Sequence, residues 1–334
     1  MLAGAVGHED HWTGGLPRPL LPLPGGTVVE ALLARLSDAL AGGRAVCANG
    51  HTEWIAGSLA RCAAPQIQFY EDRLPRGTAG CLRDCAQRLT ADCFLVIGGA
   101  VWLEDDPMWI VQEHRRQGNA LTVCCAASDD LPPLGELRML RPAGVYCCDR
   151  VVLEHIRTAG YQDLKEQTVP ALRRAGLRVG ALRLRENTTE IRNWQAYLRV
   201  IARCLDTGNF RTQEYERLAP GIWSGRDVVI APTARIAGPV FLGHGCRLEA
   251  GAVVVGPAVL GARCRIGPEA WVIRSTVQDD AEVGAGMRLD GRVQQAPSKS
   301  VASRPDCGLR ATGRGDHSGD SALGGAYRGP LAHF

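Results

Sequence analysis

The sequence predicts an α/β chain in two parts, a Rossmann-like domain followed by a left-handed parallel β-helix built on a six-residue repeat. Two periodicities and one alternation point to it. Stepping by six from Ile230 gives Ile230, Ile236, Leu242, Leu248, Val254, Leu260, Ile266 and Val272, an unbroken aliphatic series. Four residues after each stands a small or modest side chain: Ala234, Val240, Cys246, Ala252, Ala258, Cys264, Ala270 and Thr276. Upstream, short apolar runs alternate with amphipathic stretches across the first two hundred residues, the pattern of a parallel sheet wrapped by helices.

In the first part, strands are expected at 45–48, 66–70, 93–97, 121–125, 144–148 and 177–184. Helices are expected at 27–41, 80–89, 107–117, 150–159 and 167–175, with a last helix at 193–206. Ligands on such sheets bind beyond the carboxyl ends of the strands, so the loops are where chemistry is expected. In the second part three six-residue segments make one triangular coil, which buries a core only by stacking on its neighbours. Gly243, Gly261 and Gly267 are expected at the corners. After Val272 the phase slips by one residue and resumes at Val277, Val283 and Leu289, giving between three and four coils. A sandwich of short strands would not hold so strict a period. The expected organisation is an α/β domain over 1–207, a linker over 208–225, the β-helix over 226–295 and a glycine-rich flexible tail over 296–334.

A chain of 334 residues with 46% hydrophobic and 22% charged residues is ordinary for a globular protein of about two domains. The net charge of +3 comes from interspersed acids and bases, which disfavours a nucleic acid or membrane-surface partner. Thirteen cysteines occur in apolar runs without the C-x2-C spacing of a zinc site, so buried thiols are expected. No basic start with an apolar core and no apolar run of membrane-spanning length occurs, and a reducing cytoplasm is the expected location.

Four segments in order carry a resemblance. Pro17-Arg18-Pro19-Leu20-Leu21-Pro22-Leu23 resembles PKPLLPV, and Pro75-Arg76-Gly77-Thr78-Ala79-Gly80-Cys81-Leu82 resembles PLGTAGAL. Phe94-Leu95-Val96-Ile97-Gly98-Gly99-Ala100 resembles FLVLNGD, and Ala143-Gly144-Val145-Tyr146 resembles AGIY. These are motifs of the nucleotide-sugar pyrophosphorylases, the sugar-1-phosphate nucleotidylyltransferases that include mannose-1-phosphate guanylyltransferases, and a trailing β-helix is a habit of that family. The resemblance covers residues 1–290. It implies attack by a sugar-phosphate oxygen on the α-phosphate of a nucleoside triphosphate, with pyrophosphate leaving. Magnesium and cations placed around the phosphates would carry that chemistry.

Set against the family pattern, the chain departs at the catalytic positions. The phosphate-binding loop GxGTR falls on Gly4-Ala5-Val6-Gly7-His8, so a branched side chain and a histidine replace the second glycine and the arginine. The signature lysine is Arg18, which keeps the charge but not the compact ammonium. The first metal aspartate is Ala100, and the second falls on Glu190. The stretch 128–142 has no lysine to match the family's EKP segment, and the chain's only lysines are Lys165 and Lys299. The GTAG loop, which in the family packs against base and ribose, persists. The resemblance thus implies residual catalytic positions at Arg18 and Glu190, nucleotide contacts at Gly4, Gly77, Thr78, Ala79 and Gly80, and Glu190 as a metal ligand.

The expected function is that of a pseudoenzyme: a nucleotide-sugar-binding or regulatory paralogue with little or no transferase activity. Its expected partners are a nucleotide or nucleotide sugar, with a sugar phosphate as a further ligand, and other chains in a homo-oligomer or a hetero-oligomer with a catalytic paralogue. Magnesium is expected as cofactor only if the site is active. Two alternatives stand beside this. One is an active transferase using Glu190 with Asp105 or Asp106, although Glu104-Asp105-Asp106 before Pro107 is also how a helix begins. The other is a hexapeptide-repeat acyltransferase with His244 as base. His8 and His11 are read as incidental, and Asp163 as part of a surface turn.

Overall fold

The computed structural model describes residues 2–3, 11–37, 43–48, 51–60, 67–71, 76–126, 142–210 and 212–296. The expected tail over 296–334 therefore lies almost wholly outside the described residues. The α/β part begins with β1 (Leu2–Ala3), then a hairpin of β2 (Pro22–Leu23) and β3 (Gly26–Thr27) that runs into α1 (Val28–Ser37). Then come β4 (Arg44–Ala48), α2 (Thr52–Leu59), β5 (Ile67–Glu71) and α3 (Gly77–Ala86). The chain continues through β6 (Cys93–Ile97), β7 (Val101–Trp102), α4 (Pro107–Gln117), β8 (Leu121–Cys125) and β9 (Pro142–Asp149). It ends with α5 (Val169–Arg174), β10 (Val179–Arg183), β11 (Thr189–Glu190) and α6 (Trp194–Thr207).

Four strands in the order β10-β8-β9-β6 form the main sheet, and β1-β4-β5 form a smaller parallel one. The expected parallel sheet is corrected at one strand, because β9 runs antiparallel to both β8 and β6. Strand direction leaves no trace in a short apolar run, so the alternation of strands and helices does not show it. Three further corrections concern helices. Residues 52–59 form a helix that the sequence hid, because it is short, carries Gly57 and buries only Ile55, Ser58 and Leu59. Residues 150–155 form a 3-10 stretch, where the adjacent Val151 and Val152 weaken an α-helix. Helix α5 is also preceded by a π-turn at Leu164–Thr168, which Asp163 caps through the amides of Lys165 and Glu166.

In the second part the strands stack into three parallel faces. One joins 222–224, 240–242, 258–260, 276–277 and 293–294; a second joins 229–230, 247–248, 265–266 and 282–283; a third joins 235–237, 253–255, 271–273 and 288–290. Leu248 pairs with Ile266 eighteen residues on, and Ile266 with Val283 seventeen on, so the one-residue slip is absorbed in the last coil. Leu242, Val254, Leu260, Ile266 and Val272 are fully buried, whereas Ile230 is 37% exposed because its coil has no neighbour on that side. Strands already occupy Glu216–Ala219 and Ile222–Ser224, inside the stretch expected as linker. Gly243 and Gly261 serve close approach between coils. A Cβ on either would stand 2.6 Å or 2.5 Å from a backbone nitrogen of the next coil.

One face of the prism is covered by the chain itself. On the second face only alternate residues are buried, as in Arg247-Leu248 and Arg265-Ile266, but Val240-Phe241-Leu242 and Ala258-Val259-Leu260 are buried throughout. Their outward residues Phe241 and Val259 join the core of the α/β part with Tyr197 of α6 and Val293. The Tyr197 hydroxyl donates to the Pro22 carbonyl, and its ring packs on Trp12 and Trp194. No described helix is long and apolar enough to cross a membrane.

Candidate functional site

At the end of β6 the chain turns through Gly98, Gly99 and Ala100 into β7, and β7 pairs with β11 so that Val101 faces Glu190. The Ala100 carbonyl accepts from the Ile191 amide at 2.8 Å. The two positions that the family resemblance assigns to magnesium are therefore neighbours in space. Gly144 of β9 completes the corner. Its φ is +75°, and a Cβ there would stand 2.7 Å from Val101 Cγ2 and 3.4 Å from the Glu190 carboxylate. Any side chain at 144 would press into the site.

Glu190 is committed elsewhere. Its Oε2 accepts from Arg192 Nε at 2.8 Å and from Nη2 at 2.6 Å, and the same Nη2 donates to the Pro142 carbonyl at 2.9 Å. A guanidinium thus holds one oxygen of this carboxylate with charge-assisted bonds. Arg192 lies just past the end of β11, where its amide donates to the Glu190 carbonyl at 3.0 Å, a tight turn with no periodic trace in the sequence. The Ala100 side chain offers no oxygen, and its carbonyl is taken by the Ile191 amide. The residues present do not fit the two-carboxylate magnesium site of the family.

The acidic run resolves into structure. Asp105 is 1% exposed; its Oδ1 accepts from the Arg185 and Glu186 amides and its Oδ2 from the Thr188 hydroxyl. Glu104 accepts from Trp102 Nε1 at 3.0 Å and from Arg203 Nε at 2.6 and 2.7 Å. Burial alone would raise the Glu104 pKa, but the bonds from Arg203 and Trp102 outweigh it and hold the carboxyl below its ordinary value. Asp106 caps α4 through the Met108 amide at 2.9 Å, with Pro107 at the first turn. The helix-start expectation accounts for Asp106, and Asp105 is occupied by the 185–188 loop.

The persistent GTAG residues open α3, whose N-terminus is zipped to the 162–164 segment. The amides of Ala79 and Gly80 point to the Gln162 carbonyl at 3.0 and 3.4 Å. The Thr78 hydroxyl donates to Asp163 Oδ2 at 2.8 Å and accepts from the Leu164 amide. Gly77, at φ +71°, leaves the Gln162 carbonyl oxygen 2.4 Å from where a Cβ would stand. Asp163 is therefore more than a turn residue: it caps one element and ties another. Tyr146 lies between this segment and Glu190. Burial pushes its phenol upward, and the carboxylates of Asp163 and Glu190 add to that, so it stays a neutral donor. Sequence reasoning noted Tyr146 only as part of AGVY and missed Arg192, Thr188 and Gln162.

Arg18 lies half-buried in a 3-10 turn at Arg18–Leu20. The loop containing Gly4, Val6 and His8 lies outside the described residues. His244 is held on both sides: Nδ1 accepts from the Arg226 amide at 2.9 Å, Nε2 is 4.0 Å from Glu214 Oε2, and the ring stacks on Tyr215 at 4.8 Å. With Nδ1 accepting, Nε2 carries the proton, so neither nitrogen stands ready as a base. A cavity of about 1260 Å³ runs from the β2–β3 hairpin past Phe210 and Tyr215 to His244 and Arg263. Neither Ala100 nor Glu190 lines it.

Residues 12–135 match the family model described as nucleotidyl transferase. Among solved structures, the crystal structure of HddC from Yersinia pseudotuberculosis is similar at 15% identity, over 60% of this chain and 96% of that one, with a TM-score of 0.52. The crystal structure of HddC complexed with GMP-PN is similar at 16% identity, over the same shares, with a TM-score of 0.51. At such identity these likenesses concern the fold. No curated protein matches.

Proposed function

We infer that this chain, a nucleotidyltransferase-family protein of the nucleotide-sugar pyrophosphorylase-like kind, binds a nucleotide or nucleotide sugar with little or no transfer chemistry of its own and acts through regulation or assembly. One observation supports this above the rest. The carboxylate left at the metal corner, Glu190, is bonded twice by Arg192, and the other position that the resemblance assigns to magnesium is Ala100, whose side chain has no oxygen. Phosphoryl and nucleotidyl transfer concentrate negative charge, which magnesium offsets in most such enzymes. Here a guanidinium already sits on the carboxylate, and no step through magnesium is derived.

Nucleotide binding draws support from the HddC relative, whose solved complex holds GMP-PN. The 15–16% identity leaves base and sugar open. Assembly draws support from the third face of the prism, where Val253, Val255, Trp271 and Ile273 point outward and Trp271 is 42% exposed. We assign that face to another chain of the same family, a second copy or a catalytic paralogue. The active-transferase alternative is weakened because Asp105 and Asp106 are used by the fold. The acyltransferase alternative is set aside with His244.

The test is a pyrophosphate-release assay over a panel of nucleoside triphosphates and sugar-1-phosphates with magnesium, beside calorimetry of the same ligands. The reading expects binding with release at background. Robust turnover that Glu190→Gln abolishes would sink it, and no nucleotide binding at all would leave assembly as the role.

A further inference from the structure

Away from the β7–β11 corner, at the opposite end of β6, three metal-ligating side chains converge. Cys93 opens β6, Cys147 lies near the end of β9, and His114 faces them from α4. One donor atom from each lies within 4.8 Å of the others. The two sulfurs are 3.5 Å apart, and His114 Nε2 is 3.1 Å from Asp149 Oδ1. With zinc bonds of about 2.0–2.3 Å, a tetrahedron sets its ligand atoms about 3.3 to 3.8 Å apart; the 3.5 Å between the sulfurs already fits it, while Asp149 meets the three-residue cluster through His114 and would turn inward to join it.

We propose that Cys93, Cys147 and His114, closed by Asp149, bind one divalent cation of the zinc class, which clamps α4 to the β6–β9 pair. Thiolate and imidazole are the donors such an ion prefers over magnesium or calcium. With Asp149 turned in as the fourth ligand the ion has no open position, so the site is structural rather than catalytic. The second shell is in place. His114 Nδ1 is 2.8 Å from Thr122 Oγ1, which also accepts from Asn119 Nδ2 at 3.1 Å, so Thr122 is turned to take the Nδ1 proton and leave Nε2 for the metal.

A second thiol pair shows what distinguishes this one. Cys246 and Cys264 lie 3.3 Å apart inside the prism, put there by the eighteen-residue coil and enclosed by aliphatic side chains. That pair is packing. Cys93 and Cys147 instead meet a buried imidazole and a carboxylate, and a proton alone would satisfy His114 and Asp149 without two thiols beside them. Cys93 is only partly buried and the Asp149 side chain is 46% exposed, so an ion has a way in from solvent.

The experiment uses the full chain, reduced and stripped with a chelator, then titrated with zinc against a chromophoric competitor and separately with cobalt. One zinc equivalent is expected, with thiolate-to-cobalt charge transfer and tetrahedral visible bands, and a rise in the thermal midpoint with zinc. Thr122→Val should weaken zinc by about 10–100-fold. Cys93→Ser and Cys147→Ala should each weaken it further and remove thiolate intensity, while Cys264→Ala leaves both unchanged. Circular dichroism of each variant separates loss of the site from loss of the fold. Zinc uptake equal in wild type and Cys93→Ser, a cobalt spectrum without thiolate bands, or a Cys93–Cys147 disulfide that persists in reductant would overturn the proposal.

Discussion

The prism and the β7–β11 corner of the α/β part have been treated differently by the same sequence. In the prism every demand of the fold is met: Leu242, Leu260, Ile266 and Val272 fill the axis, and glycine stands where coils touch. At the corner the fold is equally intact, since β7 pairs with β11 and Gly144 makes room, but the one side-chain carboxylate there, Glu190, is held by Arg192. A fold and its chemistry are therefore separable: packing constrains the first, and only the substrate constrains the second.

The largest expected effect lies in the prism. Leu260→Ala empties a fully buried site and should cost about 2–5 kcal/mol in chemical denaturation. A smaller cost would mean that the coils relax and the core is looser than the stacking implies. Next is Asp105→Ala, which orphans two backbone amides and a hydroxyl. With a loss of about 1–3 kcal/mol for a buried unsatisfied group, it should destabilise measurably, whereas a metal-binding Asp105 would leave stability unchanged and alter only ligand binding.

The Glu104–Arg203 pair adds a pH dependence. Because the folded carboxyl titrates below the ordinary glutamate value of about 4.3, its contribution is present above that value and lost as pH falls through the folded one. Stability profiles of the wild type and Glu104→Gln should therefore differ most at neutral pH and converge in acid. Curves that stay parallel down to acid pH would contradict the assignment. The smallest stability effect belongs to Arg192→Ala. Its pair with Glu190 is half exposed, at 52% and 31%, and such pairs are worth about 0–1 kcal/mol. Its value is diagnostic, because it frees Glu190 and should introduce a magnesium dependence of nucleotide binding that the wild type lacks.

Much of the fold was readable because it rests on periodicity. The strands at 93–97 and 121–125 and the helix at 107–117 fall where the apolar pattern puts them, and the seventeen-residue pairing of Ile266 with Val283 repeats the slip seen in the sequence. The antiparallel turn of β9 and the short α2 were not, since direction and an eight-residue helix leave weak local traces. The candidate site was readable only as positions. The resemblance pointed to Ala100 and Glu190, but the Arg192 bond, the Thr188 hold on Asp105 and the Gln162 carbonyl under the GTAG amides depend on which side chains meet. The Cys93, His114 and Cys147 cluster shows this most plainly. Spacing along the chain argued against a zinc site, yet a sheet and one helix bring together residues fifty-four positions apart.

The most direct measurement is a calorimetric titration of nucleoside diphosphate sugars with and without magnesium. The account predicts the same affinity in both, because the Arg192 guanidinium holds Glu190. An affinity that rises many-fold with magnesium and falls back in Glu190→Gln would contradict it.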